Sequence, residues 1–526
     1  MNKLAHLDHE YLWHPFTQMR DWLNREPIVI VEGQGAVLRD VNDREYLDAN
    51  SSIWTNLHGH RHPKINTALR RQLQRIAHSS ALGLANEPAS ALAERLVQAA
   101  NPPPRSFHKP LLGAPASLTA SRPSSPGGGT DAGAPKCMVP TRGRATVEAP
   151  PEGAMSPRLG KVFFSDDGST AMEVALKLSY EYARRTGRSR NPRFLSLQGA
   201  YHGDTVGAVS LGHIDLFHKA YAGLLFQSDQ VMAPYCYRCP FNRAKAERAD
   251  ARDYRRCRWE CVDQVEQAFR KKKKNQEPYA AMVIEPLLQG AAGMIPQPAG
   301  WLARVAGLAR NHGAQLIADE VMTGFGRTGF PAPDRKPPLS PSLFACHQEG
   351  VQPDFLVLAK GMTAGYLPMA ATLTTQPVFD AFLGEYGEFK TFFHGHSFTG
   401  NQLGAAAALA SLDILQSRAS VVQRLNLERT LREEVKTLWS LPNVGDVRQV
   451  GLVVGVELVR NWRTRAPFEL SERAGLRVCE AMARRGVLTR PIGSVIVLMP
   501  PYCTTRRQVR RMVTVLQESV TEVFGG

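Results

Sequence analysis

The sequence has no apolar run long enough to cross a bilayer as a helix, which excludes helical membrane spans. The first residues, Met1 to Tyr11, are polar, so we expect no secretory signal. Cysteine is also sparse, with eight in 526 residues. Few cysteines without a signal favour a cytoplasmic protein in a reducing compartment, with no disulfide framework and no membrane partner.

Acidic residues are outnumbered, with 48 against 64 basic ones and a formal net charge of +16. A basic balance can mark a nucleic-acid binder, but the densest basic stretches carry no aromatic platform for stacking bases. These stretches are 252–258, 271–274 and 506–511. We therefore expect a solvated basic surface and no nucleic-acid partner. The positive field suits anionic small molecules, such as a cofactor phosphate or a carboxylate substrate.

The chain does contain an ordinary globular share of apolar residues, 43%, and is long enough for two domains. Apolar runs typical of buried strands alternate with helix-like patterns through its middle. The runs are 194–197, 281–285, 316–318, 355–359 and 370–373. This alternation predicts an α/β fold with a mostly parallel sheet flanked by helices on both faces. Ligands of such sheets bind beyond the carboxyl ends of the strands.

Two of these runs are followed by side chains of opposite charge. Residues 316–318 lead into Asp319, and residues 355–359 lead into Lys360. A lysine at the mouth of a cleft loses hydration, which lowers its pKa and makes the amine a nucleophile toward carbonyls. Alone, Lys360 could equally cap a strand in solvent. Paired with Asp319 it matches the needs of pyridoxal phosphate (PLP), whose ring nitrogen is held protonated by a carboxylate and whose aldehyde binds a lysine.

Seven motifs in order resemble those of the class III aminotransferases of PLP fold type I. The motifs are residues 13–19, 163–173, 200–205, 315–329, 353–361, 391–401 and 489–491. The resemblance covers nearly the whole chain outside two inserts. It implies a large PLP-binding domain and a smaller α+β domain. Within the family, the motifs are most similar to those of biotin-biosynthesis enzymes that convert 8-amino-7-oxononanoate to 7,8-diaminononanoate.

The resemblance implies which residues hold the cofactor ring. Lys360 and Asp319 are expected to be catalytic, and Tyr201 is expected to stack on the ring and to act with them. Glu285 is expected to have a supporting role nearby. For Tyr201 the alternative from the residue alone is an ordinary core tyrosine.

Two further segments are expected to contact the cofactor phosphate. Gly168 and Ser169 begin a predicted helix, whose first N–H groups and dipole attract anions, although an ordinary N-cap has the same pattern. Gly395 and Ser397 resemble the segment that reaches the phosphate of a neighbouring subunit's cofactor. The resemblance therefore implies a homodimer.

The substrate pocket is also implied by resemblance. Arg490 resembles the arginine that pairs with the substrate carboxylate, which a guanidinium binds through two parallel hydrogen bonds. Phe16 and Trp54 resemble pocket walls, with a simple core role as the alternative. The same pocket is expected to include Tyr201, Lys360 and Gly395.

The amino donor stays open between S-adenosylmethionine and lysine, because some relatives carry Tyr in place of Phe16. Three other functions also stay open. They are another class III ω-aminotransferase, a PLP aminomutase that keeps its amine, and a non-catalytic binding protein on the same scaffold.

The predicted domains follow from composition and resemblance. Residues 1–80 and 396–526 are expected to form the small domain, and residues 81–395 the large one. Residues 102–158 are rich in Pro, Gly and Ser with little periodicity, which predicts a disordered insert. Residues 331–342 form a second, shorter Pro-rich insert near the Asp319 loop.

Four cysteines occur in one basic segment. Cys236 and Cys239 form a CxxC pair, and Cys257 and Cys261 form a CxxxC pair 17 residues further on. The spacing suits a structural zinc site, and it equally suits four reduced thiols without a metal. Either way we expect no catalytic metal.

Overall fold

The computed structural model describes residues 2–101, 158–330 and 343–525. The two predicted inserts, 102–158 and 331–342, lie outside these ranges except for Arg158, so the disorder expected there stays a prediction. Within the described ranges, no helix is both long and apolar enough to span a membrane.

The strands in these ranges are β1 (Ile30–Gln34), β2 (Val37–Asp40), β3 (Glu45–Asp48), β4 (Leu159–Ser165), β5 (Arg193–Leu197), β6 (Asp229–Val231), β7 (Tyr279–Ile284), β8 (Leu288–Gln289), β9 (Ile295–Pro296), β10 (Gln315–Asp319), β11 (Phe355–Leu358), β12 (Ala370–Thr375), β13 (Val444–Val450), β14 (Val453–Asn461), β15 (Ala466–Pro467), β16 (Val487–Leu488), β17 (Pro491–Ile492) and β18 (Val495–Leu498). The helical segments are α1 (Lys3–Tyr11), α2 (Met19–Leu23), α3 (Ser51–Trp54), α4 (Pro63–Leu73), α5 (Glu87–Ala100), α6 (Gly168–Arg185), α7 (Val206–Ser210), α8 (Asp215–His218), α9 (Ala251–Tyr254), α10 (Glu260–Lys274), α11 (Trp301–Asn311), α12 (Gln376–Asp380), α13 (Gln402–Gln416), α14 (Arg418–Glu434), α15 (Ala474–Arg484) and α16 (Arg506–Phe524). Short 3₁₀ turns occur at Lys219–Leu224, Cys346–Glu349, Lys360–Thr363, Tyr386–Glu388, Val435–Ser440 and Leu470–Glu472.

The largest sheet has seven strands in the order β4-β12-β11-β10-β7-β5-β6. All of its pairings are parallel except those of β12, which runs antiparallel to both neighbours. The predicted α/β fold with a mostly parallel sheet is therefore confirmed. Each apolar run expected to be a strand is one of these seven, which places the ends of β10 and β11 side by side.

Both faces of this sheet are buried. Along β11, Leu356 and Leu358 join one apolar cluster, while Phe355 and Val357 join a second cluster with the residues of α6. Because helices cover both faces, the strand is apolar at every position instead of alternating. The charged residues Asp319 and Lys360 therefore lie at the strand ends.

Smaller sheets join distant parts of the chain. The antiparallel strands β1, β2 and β3 form a sheet with a fourth strand, β16. This strand pairs in parallel with β3, with Val487 opposite Leu47. A separate sheet consists of β13, β14, β18 and β17, with β15 beside β14. Residues from both termini thus share one sheet, while the predicted domain boundaries stay a prediction.

The segment α3 is a left-handed turn. Ser51, Ser52, Ile53 and Trp54 all have positive φ, between 47° and 68°. For non-glycine residues this conformation costs about 1–2 kcal/mol each. Side-chain hydrogen bonds hold it, since Ser51 Oγ donates to the Met499 carbonyl at 2.6 Å and Trp54 Nε1 donates to Asn50 Oδ1 at 2.8 Å. The turn fixes the direction of the Trp54 ring.

Gly451 lies where the β13–β14 hairpin meets the loop after β10. Its φ is +57°, and a Cβ atom there would lie 2.1 Å from the Thr328 carbonyl carbon and from the Gly329 nitrogen. The next residue, Leu452, donates its N–H to the Arg327 carbonyl at 2.9 Å. The two backbones can approach this closely only because position 451 has no side chain.

We expect Gly451→Ala to lower the apparent thermal midpoint strongly, since it adds backbone overlap to the conformational cost of a positive φ. The matched control is Gly493→Ala, because Gly493 has the same φ of +57° but no atom within 4 Å of the added Cβ. Differential scanning fluorimetry of both variants measures the difference. Equal losses would show that φ alone determines the effect.

Candidate active site

A cavity of about 440 Å³ opens at the carboxyl ends of the central strands. Its walls come from the ends of β7, β10 and β11, the start of α6 and the left-handed turn α3. The lining residues include Trp54, Thr55, Asp166, Asp167, Gly168, Ser169, Tyr201, His202, Gly203, Glu285, Asp319, Val321, Met322 and Lys360. Its volume suits a small organic ligand.

Lys360 immediately follows Ala359 at the end of β11 and begins a 3₁₀ turn. Its Nζ atom lies 5.4 Å from the centre of the Trp54 ring. Burial lowers the pKa of the Lys360 amine, while the carboxylates of Asp319 and Glu285 act in the opposite direction. The shift makes the neutral amine more available as a nucleophile and as a proton acceptor.

Asp319 is the last residue of β10 and is 5% exposed. Its Oδ2 atom contacts His202 Nδ1 at 2.7 Å, and its Oδ1 atom accepts the Val321 N–H at 3.1 Å. These contacts fix the carboxylate in the cavity wall. A carboxylate held this deep is stabilised by a positive partner.

His202 is a site residue that sequence reasoning missed. Its ring is buried, and its Nε2 atom has no hydrogen-bond partner among the described residues. The available signal was its position beside Tyr201 in the same motif. Its partner Asp319 lies 117 residues further along the chain. A contact between residues this far apart cannot be predicted from a local sequence pattern.

The start of α6 forms another part of the wall. Asp167 is the N-cap, and its side chain accepts the Thr170 N–H at 2.9 Å. A Cβ atom at Gly168 would lie 2.8 Å from a methyl carbon of Val321, so the bare backbone packs against the end of β10. The first N–H groups of a helix have no intrahelical acceptor, which leaves those of Gly168 and Ser169 available to an anion.

Tyr201 lies in the same cavity and is half-buried. Its hydroxyl donates to Asp204 Oδ2 at 2.6 Å. Burial, reinforced by this hydrogen bond, raises the pKa of the phenol, so it remains neutral. The hydrogen bond fixes the ring where it can form a flat wall.

Glu285, at the end of β7, is buried beside Asp319. Its Oε2 atom accepts the Gly290 N–H at 2.8 Å. Burial raises the pKa of Glu285 to about 7, and the neighbouring Asp319 charge acts in the same direction. Two acidic side chains in one wall make the cavity favourable for a cationic ring.

Four of the predicted site residues are not brought to this cavity by the described chain. Phe16 is 60% exposed and packs on Phe217, with ring centres 5.3 Å apart. Gly395 and Ser397 are exposed on the loop before α13, and Arg490 is exposed between β16 and β17. Their assigned contacts stay predictions, while Lys360, Asp319, Tyr201, Gly168, Ser169 and Trp54 share the cavity.

The cavity fits PLP. A phosphate suits the helix start at Gly168 and Ser169, and an aldehyde suits the partly desolvated Lys360 amine. A protonated ring nitrogen suits the buried Asp319 carboxylate. These three groups line one cavity on neighbouring elements of the sheet. When bound, PLP supplies an aldehyde that reacts with amines and a ring that accepts electrons.

Comparison with known proteins identifies the family. The family model for the aminotransferases of class III matches residues 19–120 and 149–520. The chain belongs to this family. The class III aminotransferases are PLP-dependent enzymes, which confirms the expected cofactor and the expected aminotransferase activity.

Relatives extend along the whole chain. The adenosylmethionine-8-amino-7-oxononanoate aminotransferase of Geobacter sulfurreducens is 43% identical over 519 residues, covering 99% of this chain and 97% of the relative. The crystal structure of the enzyme of that name from Methanocaldococcus jannaschii matches with a TM-score of 0.79 at 34% identity, over 99% of each chain. A PLP-bound amine transaminase from an uncultivated Pseudomonas species matches at 28% identity and a TM-score of 0.77, covering 98% of this chain and 99% of that chain.

Glu320 anchors the segment beyond the second undescribed range. It is fully buried, and its carboxylate accepts the N–H groups of Ala345 at 2.6 Å and Cys346 at 2.8 Å. Burial raises the pKa of Glu320 from 4.5 to about 7. The protonated form is therefore favoured in the folded state.

We expect Lys360→Ala to lower the transamination rate by at least about 10³-fold, since the variant loses both the amine and the proton acceptor. The matched control, Lys64→Ala, removes an exposed lysine on α4 and should retain the wild-type rate. Stopped assays with PLP in excess measure the rate, and thermal midpoints are compared in parallel. Near-wild-type turnover by Lys360→Ala would contradict the assignment.

The raised pKa of Glu320 predicts a pH dependence of stability. The contribution of Glu320 to the free energy of unfolding is fully present below pH 4.5 and is lost as the pH rises through about 7. Because one pKa unit corresponds to about 1.4 kcal/mol, the loss across this window is on the order of 3 kcal/mol. The variant Glu320→Gln does not titrate, so its thermal midpoint should change less with pH than that of the wild type.

The measurement is the thermal midpoint of wild type and variant at several pH values across that window. The control Glu349→Gln removes a half-buried carboxylate that also accepts two backbone N–H groups, from Gly300 and Ala303. It should leave the wild-type pH dependence in place. Parallel curves for wild type and Glu320→Gln would contradict the prediction.

Proposed function

We propose that this chain is the aminotransferase of biotin biosynthesis that converts 8-amino-7-oxononanoate to 7,8-diaminononanoate, with S-adenosylmethionine or lysine as amino donor. The observation that carries the chemistry is the meeting of Lys360 and Asp319 in one cavity, from the ends of adjacent parallel strands. Relatives that carry the corresponding name along nearly the full chain support the substrate.

Each residue in the cavity has a role in this reaction. With the cofactor bound, Lys360 Nζ would accept a proton from the donor carbon and later give it back, for which a lowered pKa is suitable. Asp319 holds a proton at the ring nitrogen, and His202 is a positioning residue that fixes the Asp319 carboxylate. Gly168 and Ser169 bind the phosphate through backbone N–H groups.

The walls of the cavity orient the substrate. Trp54, fixed by the left-handed turn, lies beside the Lys360 amine and excludes water from it. Tyr201 provides the flat surface on which a ring stacks. Arg490, which is exposed outside this cavity, is assigned the substrate carboxylate on its family motif alone.

We also propose that the active unit is a cytoplasmic homodimer. Around the exposed Gly395 and Ser397, the large apolar side chains of Phe393 and Phe398 are 72% and 60% exposed. The segment is held in place by His78, whose Nε2 contacts the Ser397 carbonyl at 2.9 Å. An ordered loop with exposed aromatic residues is typical of a subunit interface.

The donor and the acceptor can be tested in one spectroscopic experiment. Purified PLP-loaded protein is mixed separately with S-adenosylmethionine and with lysine, and the absorbance of the bound cofactor is followed through a single turnover. The protein converted by the effective donor is then mixed with 8-amino-7-oxononanoate. We expect one of the two amines to change the absorbance and the ketone to reverse the change.

A response to S-adenosylmethionine alone identifies it as donor, and a response to lysine alone identifies lysine. The variant Phe16→Tyr tests the position at which relatives differ, and it should change the rate with the effective donor. If neither amine changes the spectrum while a simple primary amine does, the function is that of another ω-aminotransferase. The 28% identical amine transaminase makes this the second candidate.

A further inference from the structure

The four cysteines of the basic segment surround one small space in the structure. Cys236 and Cys239 follow β6, Cys257 precedes α10 and Cys261 lies in the first turn of α10. All four line one small cavity of about 10 Å³. This cavity has no lining residue in common with the cavity at Lys360 and Asp319, and the proposed aminotransferase reaction gives it no role.

The backbone around the cysteines is organised to bring the two pairs together. The Asn242 side chain donates to the Cys236 carbonyl at 2.9 Å and accepts the Arg256 N–H at 2.9 Å. Arg243 N–H adds a bond to the Arg256 carbonyl at 3.0 Å. Trp259 adopts a positive φ of 70°, which turns the chain into α10 and directs Cys261 to the same space.

Hydrogen-bond donors face the sulfur atoms. Arg255 donates to Cys257 Sγ at 3.1 Å. The Trp301 side chain is fully buried, and its indole N–H lies beside the Cys261 thiol. A metal-bound thiolate is a stronger acceptor for such an N–H than a neutral thiol.

The residue types limit the kind of metal. Four thiolates in tetrahedral arrangement are typical of zinc or of iron–sulfur clusters. Of these, a single zinc ion needs the smaller rearrangement of a cavity of about 10 Å³. In the described ranges, no group of three or more His, Cys, Asp or Glu side chains is already arranged to hold a metal, so binding must draw the sulfur atoms together.

We propose that Cys236, Cys239, Cys257 and Cys261 bind a single structural Zn²⁺ ion. Binding releases four protons to solvent as the thiols become thiolates, and no electron is transferred. The resulting site has a net charge of −2, which the neighbouring Arg255 guanidinium offsets in part.

The ion stabilises the contact between this segment and the β13–β14 sheet. Between the two cysteine pairs and β14, Tyr235 donates its hydroxyl to Glu457 and Arg238 pairs with the same carboxylate at 2.6 Å. Arg465, just before β15, donates to the Tyr237 carbonyl at 3.0 Å. Loss of the ion should therefore lower thermal stability before it affects the chemistry at Lys360.

The test is the metal content of the full-length PLP-loaded protein, purified without chelators and measured by plasma mass spectrometry. We expect about one zinc per chain, and replacement by Co²⁺ should give the intense visible absorption of a tetrahedral thiolate site. In Cys239→Ser and Cys257→Ser the bound zinc should fall severalfold. The control Cys503→Ser, a half-buried cysteine outside the cluster, should retain it.

If the cysteine variants fold poorly, the visible absorption of the Co²⁺-substituted wild-type protein still tests the proposal. Wild-type protein with no zinc and no cobalt spectrum would overturn the proposal. Iron with inorganic sulfide, or disulfides between the four cysteines in unreduced protein, would also overturn it. Transamination is measured in parallel, so that an inactive protein with full zinc is distinguished from an active protein without it.

Discussion

The parallel alignment of β10 with β11 is the constraint on which the site depends. Asp319 pairs in register with Val357 of β11, and Lys360 follows three residues later, in the turn just after that strand. The two side chains therefore lie at the same carboxyl-terminal end of the sheet, although 40 residues of sequence, partly undescribed, separate them. Because helices bury both faces of the sheet, charged groups reach a cavity at this end. The pairing of β7 with β10 adds Glu285 to the same end.

Burial sets the protonation states around the cavity. The same loss of hydration lowers the pKa of Lys360 and raises that of Glu285, so both groups move toward their neutral forms. The oxygens of Asp319 are held by His202 Nδ1 and by the Val321 N–H. A carboxylate fixed in this position provides a place for a cationic ring. The fold thus gives different hydrogen-bond partners to two acids that the sequence presents in similar strand-end positions.

The sequence was sufficient to predict five strands of the central sheet, β5, β7 and β10 to β12, because runs buried on both faces are recognisable without alternation. It also paired Lys360 with Asp319, because a lysine and a carboxylate at two strand ends match the needs of PLP, although a lysine alone could cap a strand in solvent. It did not identify His202, whose partner is distant in the chain. The left-handed turn at Ser51–Trp54 contains no glycine and includes β-branched Ile53, so local preference argues against it. Its conformation is held by local hydrogen bonds that Asp48 and Asn50 accept and by one distant bond, which Ser51 donates to the Met499 carbonyl.

The pairing of β3 with β16 also determines when the site can form. The partner strand Val487–Leu488 and the Met499 carbonyl that holds Ser51 belong to the last tenth of the chain. During synthesis the N-terminal hairpin and the turn bearing Trp54 must wait for these residues while the central sheet is already complete. Contacts of such large sequence separation slow folding and leave apolar edges exposed in the meantime. In the nascent chain, Asp319 and Lys360 can thus reach their places at the strand ends before the turn that bears Trp54 is held against them.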